Sequence, residues 1–376
     1  VEWDDEGITE TRAEEIGALL EEAWVDQVEG LGWPVPHRAD DFLVLAYLEP
    51  GSGRSYVWEA DCGSGFMPYT LIYVDDPTIE STVQHEFNHL SQYGGNASWG
   101  LWWWEATATW MQVQTVPGEA DLADEVVSIG FMENAHLAMH DSSRETWQQD
   151  AHMYGMAVLA WFLEDLEPGL VARTWTETSG QNMPHAIDDL GLSWDGVFEG
   201  FVLAVVAGDL PRSKKWGPVG SGGSVNDLYW SSEGTAYSLG LQITEFDPEA
   251  PAPEGSHLNV NVQVEGDEWL LWLVGVGDTV DKVEVVSGQD AVLENSAEYD
   301  DVLLVLVPLD GLEQSFPVSW EAWATGPATG GGYTAAFPEE QGRCGTTAPS
   351  ALWLLGLMVI RRRRVFVDTT ESAARP

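Results

Sequence analysis

The spacing of apolar residues changes once along this chain, and that change limits the fold more than any other feature. Residues 208–224 (GDLPRSKKWGPVGSGGS) are rich in Gly, Pro and Ser and read as a linker. Upstream, helical spacing dominates: residues 11–29 place Ile16, Leu19, Leu20 and Trp24 on one side of a helix. Further helices are expected from Asp76-Pro77, a cap followed by a first-turn proline, to about Tyr93, and near 102–115, 120–140, 145–166 and 193–207. Two strand-like runs, 41–48 and 69–74, precede them. Downstream, segments such as HLNVNVQVEG, EWLLWLVGVG and DVLLVLVPL alternate or run apolar between Gly, Asp and Pro, the pattern of a β-sandwich. The expected fold class is α+β. The expected division is a mixed region over 1–207, a linker over 208–224, an all-β sandwich over 225–340 and a short hydrophobic tail over 341–376.

A chain of 376 residues can bury two separate cores, and a hydrophobic share of 44% argues against disorder. The formal charge of −47, from 62 acidic and 15 basic residues, repels phosphate backbones and excludes nucleic acid as a partner. It suits either a salty medium or an acidic exported protein. Cys62 and Cys344 stand in unlike contexts and do not suggest a disulfide framework. The opening Val1 and the lack of a signal-peptide pattern read as a processed or truncated N-terminus.

Residues 85–89 read His-Glu-Phe-Asn-His. On a helix, positions four apart share a face, so His85 and His89 can grip one metal ion, with Glu86 beside them to take a proton from a metal-activated water. The apolar stripe Ile79, Val83, Phe87 and Leu90 lies on another face; Val83 points about 200° away from His85. His136 and His140 repeat the spacing without a glutamate and are expected to be structural. Catalytic zinc takes three protein ligands and keeps one position open. Gln92 and Gly95 occupy the positions where a metzincin carries Gly and His, which excludes that subtype. The best third ligand is Glu105 in WWWEATATWM, on a helix that could fold back against the first; the alternative is an ordinary surface glutamate. Tyr154 and His152 in DAHMYGMAVLAWFL are candidate oxyanion donors, against a core tyrosine and a surface histidine. The sequon Asn96-Ala97-Ser98 is too common a pattern to carry weight.

HEFNH followed by WWWEATATWM resembles the gluzincin metallopeptidases over roughly residues 40–165. The resemblance implies a zincin-like domain, Zn2+ held by His85, His89 and Glu105, Glu86 as general base, and a protein or peptide substrate. It also implies that the strand at 69–74 pairs with extended substrate. Thr109 stands where thermolysin-like members carry an aspartate that orients a histidine, so a distant branch is indicated. The competing expectation is an exported adhesion protein with a degenerate zincin domain and a partner-binding sandwich.

Residues 344–364 (CGTTAPSALWLLGLMVIRRRR) hold an apolar segment short of the about 20 residues that a membrane span needs, followed by Arg361–Arg364. Cysteine, short apolar segment and arginine cluster resemble a Myxo-CTERM sorting signal, with Cys344 as the processing or anchoring residue. The resemblance implies an extracellular or bacterial cell-surface protein anchored at its C-terminus, touching membrane through the tail only.

Overall fold

The computed structural model describes residues 2–3, 7–39, 44–61, 66–95, 99–116, 118, 126–179, 182–210, 229–237, 239–246, 257–266, 268–294, 296–309 and 315–325. The expected tail at 341–376, Cys62, the sequon at 96–98 and most of the linker lie outside these residues. The chain is α+β.

The first sheet has the order β1-β2-β4-β3, from β1 (Glu2–Trp3), β2 (Leu45–Glu49), β3 (Tyr56–Asp61) and β4 (Phe66–Tyr73). β2 and β4 run parallel, and β3 lies antiparallel to β4. Helices α1 (Glu10–Trp24) and α2 (Ile79–Gly94) bury Ile16, Val83, Phe87 and Leu90 in the small clusters between helices and sheet. The apolar stripe read from α2 is therefore the face that anchors it. Two boundaries differ from the sequence expectation. β4 is an interior strand, with β2 and β3 on its two edges, so it offers no edge to a peptide; β3 does. Helix α2 begins at Ile79, not at Pro77, because the Asp76 carboxylate turns back on Thr78 N, Thr78 Oγ1 and Thr82 Oγ1.

A run of helices follows: α3 (Leu101–Thr115), a π-helical turn (Val126–Met132), α4 (Trp147–Gly155), α5 (Ala157–Leu166), α6 (Leu170–Thr176), α7 (Met183–Asp189) and α8 (Trp194–Ala207). α3 is buried on nearly every side, with Trp102, Trp103, Ala106, Trp110 and Met111 in the main core and Glu105 and Thr109 also covered. A helix apolar around its circumference belongs at the centre of a fold. Each fully buried tryptophan contributes on the order of 3 kcal/mol. The expected single helix at 145–166 breaks at Met156, and no α-helix forms over 126–140. Both differences arise where Gly155 meets Gly130. A Cβ on Gly155 would lie 2.3 Å from Gly130 C and 2.4 Å from Phe131 N, so only glycine permits this approach. Gly155→Ala is expected to lower stability by about 3 kcal/mol in urea unfolding. It also forces movement next to Tyr154; an unchanged midpoint would mean that the contact is soft.

The remaining strands form two antiparallel sheets. One has the order β10-β7-β12-β5, with β5 (Tyr229–Tyr237), β7 (His257–Val264), β10 (Asp290–Leu293) and β12 (Ser315–Thr325). The other has the order β6-β11-β8-β9, with β6 (Gln242–Phe246), β8 (Trp269–Val276), β9 (Val280–Glu284) and β11 (Asp301–Pro308). Alternation along β8 and β11 shows what each face meets. Leu271, Leu273, Leu304 and Leu306 join Val260 and Val318 of the facing sheet. Leu270, Trp272, Val274, Leu303, Val305 and Val307 join the tryptophan-rich helical core. The two strands read as continuous apolar runs because both of their faces are covered. Lys282 of β9 stacks on Trp272 and pairs with Glu199 of α8, tying helix to sheet at the surface.

Candidate metal centre

Helices α2 and α3 pack side by side and bring His85, His89 and Glu105 together at the floor of a cleft of about 730 Å3. Among the described residues this is the one group whose donors could hold a metal ion, each donor lying within 4.8 Å of the others. His85 Nε2 stands 3.3 Å from Glu105 Oε2, and His89 Nε2 stands 3.7 Å from the same oxygen. Donors around a tetrahedral zinc ion, bonded at about 2.0–2.2 Å, lie about 3.3–3.5 Å apart, so the spacing fits. The two imidazole rings pack edge to face with centroids 4.8 Å apart, and both Nε2 atoms face the Glu105 carboxylate.

The electrostatics favour a cation between these groups. Burial alone would raise the Glu105 carboxyl, yet hydrogen bonds from His85 and His89 hold it well below the usual range. Burial pulls the His89 imidazole down, but the adjacent Glu105 outweighs it and raises the group above its ordinary 6.5. A proton satisfies the same geometry that a metal would, so the two compete.

Glu86 sits beside the ligands, 6% exposed, and its Oε2 is buried with no hydrogen-bond partner. Burial pushes its carboxyl up, while His85 and His89 pull the other way. A buried carboxylate with an unpartnered oxygen in a cleft has a strong affinity for a proton.

The wall of the cleft carries further groups. Tyr154 of α4 stacks obliquely on His85 with ring centroids 6.2 Å apart. Arg54, just ahead of β3, lies over the Tyr154 ring at 5.7 Å. Arg144 donates from Nη2 to Glu105 Oε1 at 2.5 Å, the oxygen turned away from the histidines. That arginine adopts a φ of 52°, strained for a residue with a side chain. Its loop is pinned by Ser142 Oγ, which accepts from Trp102 N, and by Gln149, which donates to Asp141. In a chain with 62 acids and 15 bases, a cleft lined by two arginines and two glutamates is locally balanced. Neither arginine follows from motif spacing. The signal available was scarcity: each base in so acidic a chain invites a reason.

His152, the other candidate donor, does not reach the cleft. It is fully buried, its Nε2 lies 3.1 Å from Ala138 O, and burial pushes it down to about 4. His136 and His140 lie in turns, so their spacing does not put them on one helical face.

No protein-family model and no curated protein matches the chain. Similar solved structures include PliG, a periplasmic inhibitor of g-type lysozyme from Salmonella Typhimurium, at 14% identity, covering 27% of this chain and 95% of that one with a TM-score of 0.20. A likeness of that size carries no argument about function.

Proposed function

We propose that the chain is a zinc-dependent peptidase of a distant gluzincin branch, acting on extended protein or peptide substrates. The observation that carries this reading is a three-donor group in an open cleft beside a buried glutamate oxygen that has no partner. A structural zinc site would be closed by four ligands and has no use for such a base. The order of parts also supports it: a sheet, then a helix bearing both histidines, then a helix bearing the glutamate.

When bound, zinc supplies a Lewis acid that polarises an amide carbonyl and acidifies water. Glu86 Oε2 accepts the proton of the attacking water and passes it to the leaving amine. Tyr154, in the cleft wall beside His85, donates its hydroxyl hydrogen to the developing oxyanion. Arg144 holds Glu105 Oε1, so Oε2, which faces both histidines, would be the oxygen available to a metal. An extended peptide would add to the edge of β3 that no described strand covers, against Tyr56 and Trp58, which are 42% and 63% exposed. Among the described residues no single helix is long and apolar enough to cross a membrane. Surface anchoring is proposed from the sequence of residues 344–364 alone.

The decisive test is metal content with hydrolysis. Purified protein should carry about one zinc per chain, lose peptide cleavage to a chelator and regain it with Zn2+. Cleavage that survives complete metal removal would end the proposal. The raised His89 imidazole adds a pH signature. Its protonated form cannot bind metal, so affinity falls as pH drops through the raised value. Weakening should set in above pH 6.5 and reach about tenfold per pH unit for each proton taken up. An apparent dissociation constant flat from pH 8 to about pH 6 would contradict this.

A further inference from the structure

The ring of His89 is held by a feature that the peptidase reading does not use. Gln92, one turn further along α2, places Oε1 2.7 Å from His89 Nδ1. Its orientation is fixed by the other end of the amide. Gln92 Nε2 faces three acceptors, each at 2.9 Å: Asn88 Oδ1, Trp104 O and Thr107 Oγ1. The Thr107 hydroxyl donates its own proton to Trp103 O, so it can only accept here. Turning the amide over would set oxygen against all three. Gln92 therefore accepts and His89 Nδ1 carries a hydrogen, which leaves Nε2, on the Glu105 side, as the nitrogen that would meet a metal once its own proton is lost.

The same logic continues away from the site. Asn88 Nδ2 donates to Gln27 Oε1 at 3.1 Å, and Gln27 Nε2 donates to Gln84 Oε1 at 2.9 Å. Gln84 Nε2 then reaches the Asp26 carboxylate at 3.3 Å. Gln92, Asn88, Gln27 and Gln84 are all buried. Gln27 and Asp26 are brought into line by the π-helical turn Val25–Gly30 that ends α1. Four buried carboxamides point the same way and end on a carboxylate, so each bond polarises the next. Apolar side chains would fill this space without the risk of an unmet polar atom. The directionality is what calls for an explanation.

We propose that Gln92 is the positioning residue of the metal centre. Locked by the amide chain from Asp26, it fixes His89 as the Nδ1–H tautomer and aims its Nε2 at the metal. This rests on the metal reading of the site.

The test uses the full chain and Zn2+ alone, read by competition with a chromophoric chelator. Gln92→Leu removes the acceptor at similar volume and should weaken Zn2+ binding about 10- to 100-fold. Nitrogen-15 NMR of the Zn2+-loaded wild type should show His89 with its hydrogen at Nδ1 and its Nε2 at the metal. That measurement decides the matter should Gln92→Leu fail to fold. Overturning results are a folded Gln92→Leu chain that binds Zn2+ as tightly as wild type, or a Zn2+-loaded His89 that carries its hydrogen at Nε2. None of these readings involves hydrolysis. A chain that shows the expected Zn2+ dependence but cleaves nothing keeps this inference and loses the peptidase one. A chain that cleaves but shows no dependence on Gln92 does the reverse.

Discussion

On the proposed peptidase reading, Glu86→Gln is expected to keep its full complement of zinc and to lose about 1,000-fold in kcat. The substitution changes no volume and touches none of the three donors, so the metal geometry should persist. What it removes is the ability of a buried side chain to hold a proton between two steps. Proton transfer by a placed side chain contributes about 100- to 10,000-fold, and Glu86 Oε2 has no competing partner to dilute its role. Burial, which raises its carboxyl, also makes it the stronger base. Zinc analysis beside single-turnover peptide cleavage checks both halves. A variant that hydrolyses at the wild-type rate would remove Glu86 from the mechanism; one that loses zinc would make it a structural residue.

Glu105→Ala should act on the metal itself. The carboxylate lies against both imidazoles and the Arg144 guanidinium, and it is 6% exposed. Its removal deletes one donor of three and leaves a cation facing two histidines. Zn2+ affinity is expected to fall by more than about 100-fold, beyond the usual effect of an outer-sphere residue. Arg144→Leu offers the contrast. It frees Glu105 Oε1 but removes no donor, and its side chain is 33% exposed, so the loss should be smaller. If the two variants bind Zn2+ equally well, Glu105 is no ligand.

Much of the site was legible because it rests on short-range geometry. Two histidines a turn apart, a glutamate between them and an apolar stripe on the opposite face define α2 from its residues alone. The tryptophans around Glu105 announced a buried helix, and α3 is buried. The strands of the two antiparallel sheets were visible because they either alternate, as β7 does, or run apolar throughout, as β8 and β11 do. What escaped depends on contacts distant in sequence. β3 follows no clean alternation, because its aromatic side chains stay exposed beside the cleft. The break between α4 and α5 comes from Gly130 meeting Gly155, 25 positions apart along the chain. Arg144 reaches Glu105 from a loop 39 residues away. In the sequence Gln92 stands out only as the wrong residue for a metzincin, because its use depends on the amides that the fold gathers around it.

The strands β8 and β11 lend one face to the helices and the other to their partner sheet. A single cut between Leu210 and Tyr229 would therefore divide the polypeptide without dividing the particle. Both fragments should travel as one species through gel filtration and part only under denaturant. Expressed by itself, the amino-terminal piece would show a greasy, unshielded surface and clump.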